Sequence, residues 1–482
     1  MAIEAPEPGA VDMCSCIYGD AIVLELAMGN WKMTDTNVTI KTNDATAVIQ
    51  TDTEKVADKK KAGETEIELH PIAKAMDRAI HGFRDIEECM ITLLPISVSS
   101  QREQQAKLRA EVDEINGLFK SKDEKNQLHA VRMTLAFRRE VERFRSSQKS
   151  QVLARSLFIT IFSIFDTFTS DLIRALFNRR PELFNTIAVK VDFSELLLHD
   201  SLGPIKEKIL EDEIESLRRE GYTDQFKKLE KLFGINTLRD FPEWGAFIES
   251  AQRRNLLVHC DGVVSNQYLA ICADNNYKVD NVKIGDRLGV SSKYMVAVVE
   301  RMIKISTMLG QTLWRKILPD EKERGIADSH LNAIIYNFLS NERWCIAEEL
   351  GSFACGKAIL KNSAELSARI SIVNLAIALK FGGKPPKAVE CLDKYDWSAN
   401  VWDLQLAHKV LLEDFDGAAG IMEKIGGSGQ LVSEVAYHSW PLFRDFRETN
   451  QFATAYRKIY GRDFSRELQK ELIAETEELT QV

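Results

Sequence analysis

Residues 152–177 read VLARSLFITIFSIFDTFTSDLIRALF, the most hydrophobic segment of the chain. Leu157, Phe158, Ile161, Phe162, Ile164, Phe165, Phe168, Leu172, Ile173, Leu176 and Phe177 recur at helical spacing and cover nearly the whole circumference. A helix apolar almost all round has to be buried. The segment therefore predicts a central helix about 39 Å long at ~1.5 Å per residue, closed by Pro181 and Glu182. Its polar exceptions, Asp166 and Asp171, are expected at an interface or at the edge of a site.

The fold class that follows is mainly α. Ile72–Leu94 has helical periodicity and is expected to stop at Pro95; Gln101–Phe119 and Gln127–Arg145 follow as charged amphipathic helices. Phe193–Leu232 supplies further helix with a charged middle, Phe241–Val258 another, and Ser291–Leu318 a long amphipathic one ended by Pro319. Between the last two, Tyr268–Cys272 and Val279–Ile284 flank Asp274-Asn275-Asn276, which reads as a hairpin.

The two ends read differently. Residues 1–70 carry short β-like runs (Val23, Leu24 and Leu26; Val38 and Ile40; Val48 and Ile49) between Gly, Asn, Asp and Thr clusters, and predict a small β-rich module with a charged linker at Val56–Glu68. In the last third, Ala388, Ala418 and Ala453 are 30 and 35 residues apart, each after a polar turn. That is close to the tetratricopeptide period of about 34 residues, so an α-solenoid or an irregular helical bundle is expected. The domains expected are 1–70 (β-rich), 71–124 (helical connector), 125–320 (helical bundle) and 325–482 (helical, repeat-like). With 17 basic and 22 acidic residues, 325–482 suits a protein partner or a dimer brace better than an RNA track.

Composition limits the function classes. The 482 residues are 45% hydrophobic, ordinary for a globular protein. No run approaches the ~20 apolar residues that span a bilayer, and the acidic N-terminus does not resemble a signal peptide. Eight scattered cysteines read as reduced thiols of a cytoplasmic protein rather than as a disulfide framework. A net charge of −9 does not suit bulk coating by nucleic acid, but affinity follows the phosphates locally neutralised. Arg138, Arg139, Arg143, Arg145 and Lys149, in the basic stretch 138–155, are either a solvated helix face or a guide for an anionic substrate such as RNA. No Gly-rich phosphate loop is present, and no cofactor or metal is expected.

The chemistry-bearing stretch is RRNLLVHCDG, residues 253–262. A helical apolar segment ends here and brings Arg254, Asn255 and His259 to its end. A permanently charged guanidinium with a side chain that titrates near neutral pH is what phosphodiester cleavage requires. The spacing alone is weak: Arg324 and His330 have a similar one, with Gly325 in place of the Asn. On one ideal helix Arg254 and His259 lie about 140° apart, whereas Asn255 and His259 share a face. Either fraying brings Arg254 and His259 together, or two copies of the motif meet across a two-fold axis. Arg253 offers an alternative x5 register.

The 152–182 helix with its ending SIFDTFTSDLIRALFNRRPE, then RRNLLVHCDGVVSNQYL and the Ser291–Leu318 helix, resembles the HEPN superfamily, whose motif is Arg-x4–6-His with a polar residue after the Arg. The resemblance covers roughly 125–320. It implies an all-α bundle that dimerises with its motifs facing, and metal-independent RNA cleavage leaving a 2′,3′-cyclic phosphate. It also implies a toxin or anti-phage role, with catalytic Arg254, Asn255 and His259. Asp166 stands where relatives often carry an acid, and either orients the Arg or His or makes a structural hydrogen bond. A regulatory or antitoxin protein bound by the C-terminal region would fit this layout. The alternative is a non-catalytic scaffold binding a partner protein.

Overall fold

The computed structural model of the chain describes residues 69–146, 148–192, 196, 199 and 201–466, without the side chains of Arg145 and Ser146. The β-rich module expected over 1–70 lies outside these residues apart from Leu69 and His70. The described residues are mainly helical, as the periodicity predicts. They form two units, one of residues 69–342 with 346–375 and the other of 343–345 with 376–466. The first contains, in chain order, α1 (Pro71–Phe119), α2 (Glu124–Ser146), α3 (Lys149–Arg179), α4 (Gly203–Arg218), α5 (Tyr222–Phe233), α6 (Trp244–His259), α7 (Asn266–Asp274), α8 (Ser292–Ile317) and α9 (Glu321–Ser340).

α3 is the centre. Phe158, Ile161, Phe162, Phe165, Phe168, Leu172, Ile173, Leu176 and Phe177 are all buried, and α3 packs against α1, α6 and α8. It is not apolar all round, however. Thr160 and Ser163 are exposed, and the Thr160 and Thr167 hydroxyls donate to the carbonyls of Ser156 and Ser163, at 2.8 and 3.0 Å. By length and composition a window within Glu124–Arg179 is apolar enough to cross a membrane, which the lack of a ~20-residue apolar run did not anticipate. In this fold the phenylalanines of α3 are instead buried against neighbouring helices.

The stop expected at Pro95 does not occur: α1 passes through it. A mid-helix proline removes one backbone hydrogen bond and crowds the turn before it. Packing on both sides offsets this, with Met90 and Leu94 buried ahead and Leu108 and Ile115 beyond. Residues 71–119, expected as connector, thus pack as one helix on α2, α3 and α8. At its start His70 accepts the Ile72 amide through Nδ1 at 3.3 Å, and Pro71 takes the first helical position, where no intrahelical N–H bond is made.

The further helix expected over Phe193–Leu232 comes in two pieces: α4 ends at Arg218, Gly221 is extended, and α5 begins at Tyr222, while residues 193–195, 197, 198 and 200 lie outside the described ones. One further expectation is corrected: the hairpin is absent. Tyr268 and Cys272 sit four residues apart on α7, which Ser265 caps by accepting the Tyr268 amide at 3.2 Å. Both side chains are buried with Leu256 and Val264. Among the described residues the region pairs only as the isolated bridge Val263–Arg287.

In the second unit, Phe415–Ile425 packs against Trp402–Leu411 and Asn450–Tyr460. Short turns do separate consecutive helices where the alanine spacing places them. Ala388 and Ala418 are buried but Ala453 is exposed, and Ala455 takes the buried place instead.

Candidate active site

α6 is fixed against α3 and α5 by aromatic packing. The Phe247 ring centroid lies 5.4 Å from that of Phe165 and 5.3 Å from that of Tyr222. Offset and edge contacts at this separation favour one relative orientation of the rings, which sets the rotation of α6. That rotation places Arg254 over the Phe162 ring, 5.8 Å from its centre, and beside Asp166, one turn further along α3.

Arg254 and Asp166 therefore meet. The guanidinium Nη2 is 3.7 Å from Asp166 Oδ2, with side chains 28% and 20% exposed, and Nη1 donates to Asn255 Oδ1 at 3.0 Å. The Tyr222 hydroxyl donates to Asp166 Oδ1 at 2.7 Å. Tyr222, Asp166, Arg254 and Asn255 thus form one polar chain from the interior to the rim of α6. Burial raises the Asp166 carboxyl above the ordinary aspartate range, opposed by the Tyr222 hydrogen bond and the Arg254 charge. Tyr222 is itself pushed well up by burial and then by the Asp166 charge, so it remains a hydrogen-bond donor.

This predicts a sign. A carboxyl whose native pKa exceeds its unfolded value contributes stability at low pH, and that contribution is lost as pH rises through the native value. Asp166→Asn is expected to keep or raise the urea midpoint at neutral pH, and to flatten its fall above the ordinary aspartate range. A lower neutral-pH midpoint would mean that the charged form holds the fold together.

His259 is the last residue of α6 and is exposed. The helix is regular to that point, with the Cys260 amide on the Leu256 carbonyl at 2.8 Å, so fraying does not bring His259 to Arg254. No hydrogen bond or ion pair joins His259 to another described side chain. Asp261 and Gly262 then turn the chain at φ of +50° and +80°. Gly262 is needed twice over: its φ is left-handed, and a Cβ would stand 2.4 Å from the Leu288 carbonyl oxygen. Gly262→Ala is expected to lower stability by about 1–3 kcal/mol, read from the denaturation midpoint; a neutral result would show that this turn yields.

Arg253 faces elsewhere. It donates to Glu249 Oε1 at 2.8 Å and to the Gly289 carbonyl at 3.2 Å, and stacks 4.1 Å from the Tyr294 ring centre. Glu249, 1% exposed, also accepts the Tyr268 and Tyr294 hydroxyls at 2.7 and 2.6 Å. Both tyrosines are raised, first by burial and then by the Glu249 charge, and burial lifts the Cys272 thiol to about 12. This network braces α6, α7 and α8 behind the rim.

The basic residues of α2 and of the start of α3 are not gathered in. Arg138, Arg139, Arg143 and Lys149 are exposed, and no described hydrogen bond or ion pair joins them to Arg254, Asn255 or His259; Arg145 has no described side chain. The sequence reading missed Tyr222, Glu249 and Arg287. Only Glu249 had a local signal, its i,i+4 spacing to Arg253. Among the described residues, no group of three or more His, Cys, Asp or Glu side chains is placed to hold a metal ion. No protein-family model, curated protein or solved structure matches the chain.

Proposed function

We propose that this chain is a metal-independent endoribonuclease of the HEPN type, with α3, α6 and α8 as its catalytic bundle. The observation that carries the reading is the Tyr222–Asp166–Arg254–Asn255 chain, which holds a guanidinium on the same helix end that exposes His259. Such ordering has a purpose if the guanidinium meets an anion, and the exposed imidazole is placed to move a proton.

Because α6 stays helical through His259, the working site is composite: two copies of the chain bring two Arg254–His259 sets to one cleft. One imidazole removes the proton of a ribose 2′-OH, whose oxygen attacks the adjacent phosphorus. The P–O5′ bond breaks, the second imidazole protonates the leaving 5′-oxygen, and a 2′,3′-cyclic phosphate remains. The Arg254 pair stabilises the added charge on the phosphorane. Imidazole performs both proton transfers, so the chemistry requires no metal ion.

In this reading the protein is a cytoplasmic toxin or anti-phage effector, and the helical, tetratricopeptide-like second unit receives a regulatory or antitoxin protein. Sequencing of RNA ends from cells expressing the wild type beside His259→Ala tests it. Cyclic-phosphate ends confined to the wild type support the reading; identical ends in both reject it.

A further inference from the structure

Two residues beyond His259, Asp261 holds two arginines at once. Arg155 of α3 donates through Nη1 to Asp261 Oδ1 at 2.8 Å, and Arg287 pairs through Nη2 with Oδ2. Arg287 is also pinned at its other edge, where Nε donates to the Asp261 carbonyl at 2.9 Å. The three side chains are 34%, 62% and 62% exposed, in the order Arg155, Arg287, Asp261.

Two guanidiniums around one carboxylate leave a net positive charge. They also leave most of their N–H donors unused, since one described hydrogen bond engages Arg155. As a staple between α3 and the turn the arrangement is weak, because exposed ion pairs contribute little to stability. As an anion site it is well formed. The guanidiniums approach from separate elements, one is held by a backbone carbonyl, and their planar forks suit phosphate oxygens. Asp261 itself shows where an anion sits.

We propose that Arg155 and Arg287 form a phosphate clamp for an RNA strand beside His259, with Asp261 as the resident counter-anion that the strand's phosphate displaces. The inference rests on the ribonuclease reading for its ligand. It adds a binding subsite from residues outside the Arg254–His259 motif, and it gives the site a gate: ligand has to compete with an internal carboxylate. Asp261 suits that role because aspartate tolerates the left-handed conformation of the turn.

The test uses the full chain and a 2′-O-methyl RNA, which lacks the attacking 2′-OH and so survives the measurement whether or not His259 is catalytic. Binding of this short, fluorescein-labelled, single-stranded RNA is followed by anisotropy across a salt series. Arg155→Ala and Arg287→Ala are each expected to weaken binding several-fold and to reduce the slope of log K against log salt by about 0.7, the value for one lost phosphate contact. Asp261→Asn, which keeps the turn, is expected to tighten binding. Unchanged slopes in both arginine variants, or weaker binding by Asp261→Asn, would overturn the clamp. Cleavage assays separate the two ideas: if His259→Ala cleaves like wild type while the arginine variants bind less, the catalytic reading fails and the clamp stands. Loss of cleavage in His259→Ala with intact binding in the arginine variants gives the reverse.

Discussion

His259→Ala is expected to leave the protein folded and to slow RNA cleavage by about 10²–10⁴-fold, the range for loss of a positioned proton-transfer group. The fold is insensitive because His259 is exposed at the end of α6 and bonds to no described side chain; such surface changes usually stay within ~0.5 kcal/mol. Arg254→Ala is expected to reduce cleavage by about 10²–10³-fold, comparable to removal of an electrostatic donor. It also costs some stability, since Asp166 keeps Tyr222 but loses its counter-charge. Arg253→Ala is the discriminating control. Its guanidinium is bound to Glu249, the Gly289 carbonyl and the Tyr294 ring, so the variant should lose stability before it loses chemistry. The measurement is cleavage of a labelled RNA by purified full-length variants, alongside denaturant midpoints. Full activity in folded His259→Ala would remove the proposed mechanism; a larger kinetic loss in Arg253→Ala than in Arg254→Ala would move the site to the other register.

The central helix was legible because buried apolar residues in α3 repeat every three or four positions, and nothing local competes with that signal. α7 was misread for a related reason. Tyr268 and Cys272 are four apart, a helical spacing, but in a run this short the apolar character looks the same as in a strand. The decisive feature was Ser265 capping the Tyr268 amide, which marks a helix start. Pro95 shows the opposite failure, where a strong local breaker is overruled by packing along α1 that no local pattern reports. Within the site, Arg254, Asn255, His259 and Asp166 could be named from sequence, but not which of them touch. Tyr222 reaches Asp166 across 56 residues and Arg287 reaches Asp261 across 26, so these contacts exist only once the helices are packed. Glu249 could have been found, because a glutamate one turn before Arg253 pairs with it on any helix.

Glu249 is where the largest structural effect is expected. Its carboxylate is the common acceptor for Arg253 on its own helix, Tyr268 on α7 and Tyr294 on α8. At 1% exposure the carboxylate they share has no direct access to bulk solvent. Glu249→Ala leaves a half-buried guanidinium without its counter-charge and two buried hydroxyls without an acceptor, a loss of about 3–5 kcal/mol. Glu249→Gln keeps one acceptor oxygen, and the two hydroxyls can rotate to share it, so a smaller loss of about 1–3 kcal/mol is expected. The ordering of the two variants matters as much as their size. If the network acted only by filling space, Gln would be almost neutral and Leu would rescue Ala. If it acts through charge and hydrogen bonding, Leu should be no better than Ala. Urea unfolding followed by tryptophan fluorescence, with Trp244 on α6 and Trp314 on α8 as reporters, measures this directly. A loss below about 1 kcal/mol for Glu249→Ala, the net value of a single ordinary hydrogen bond, would mean that the Glu249 network does not brace the rim. His259 would then be positioned by the aromatic packing of Phe247 and by the Gly262 turn.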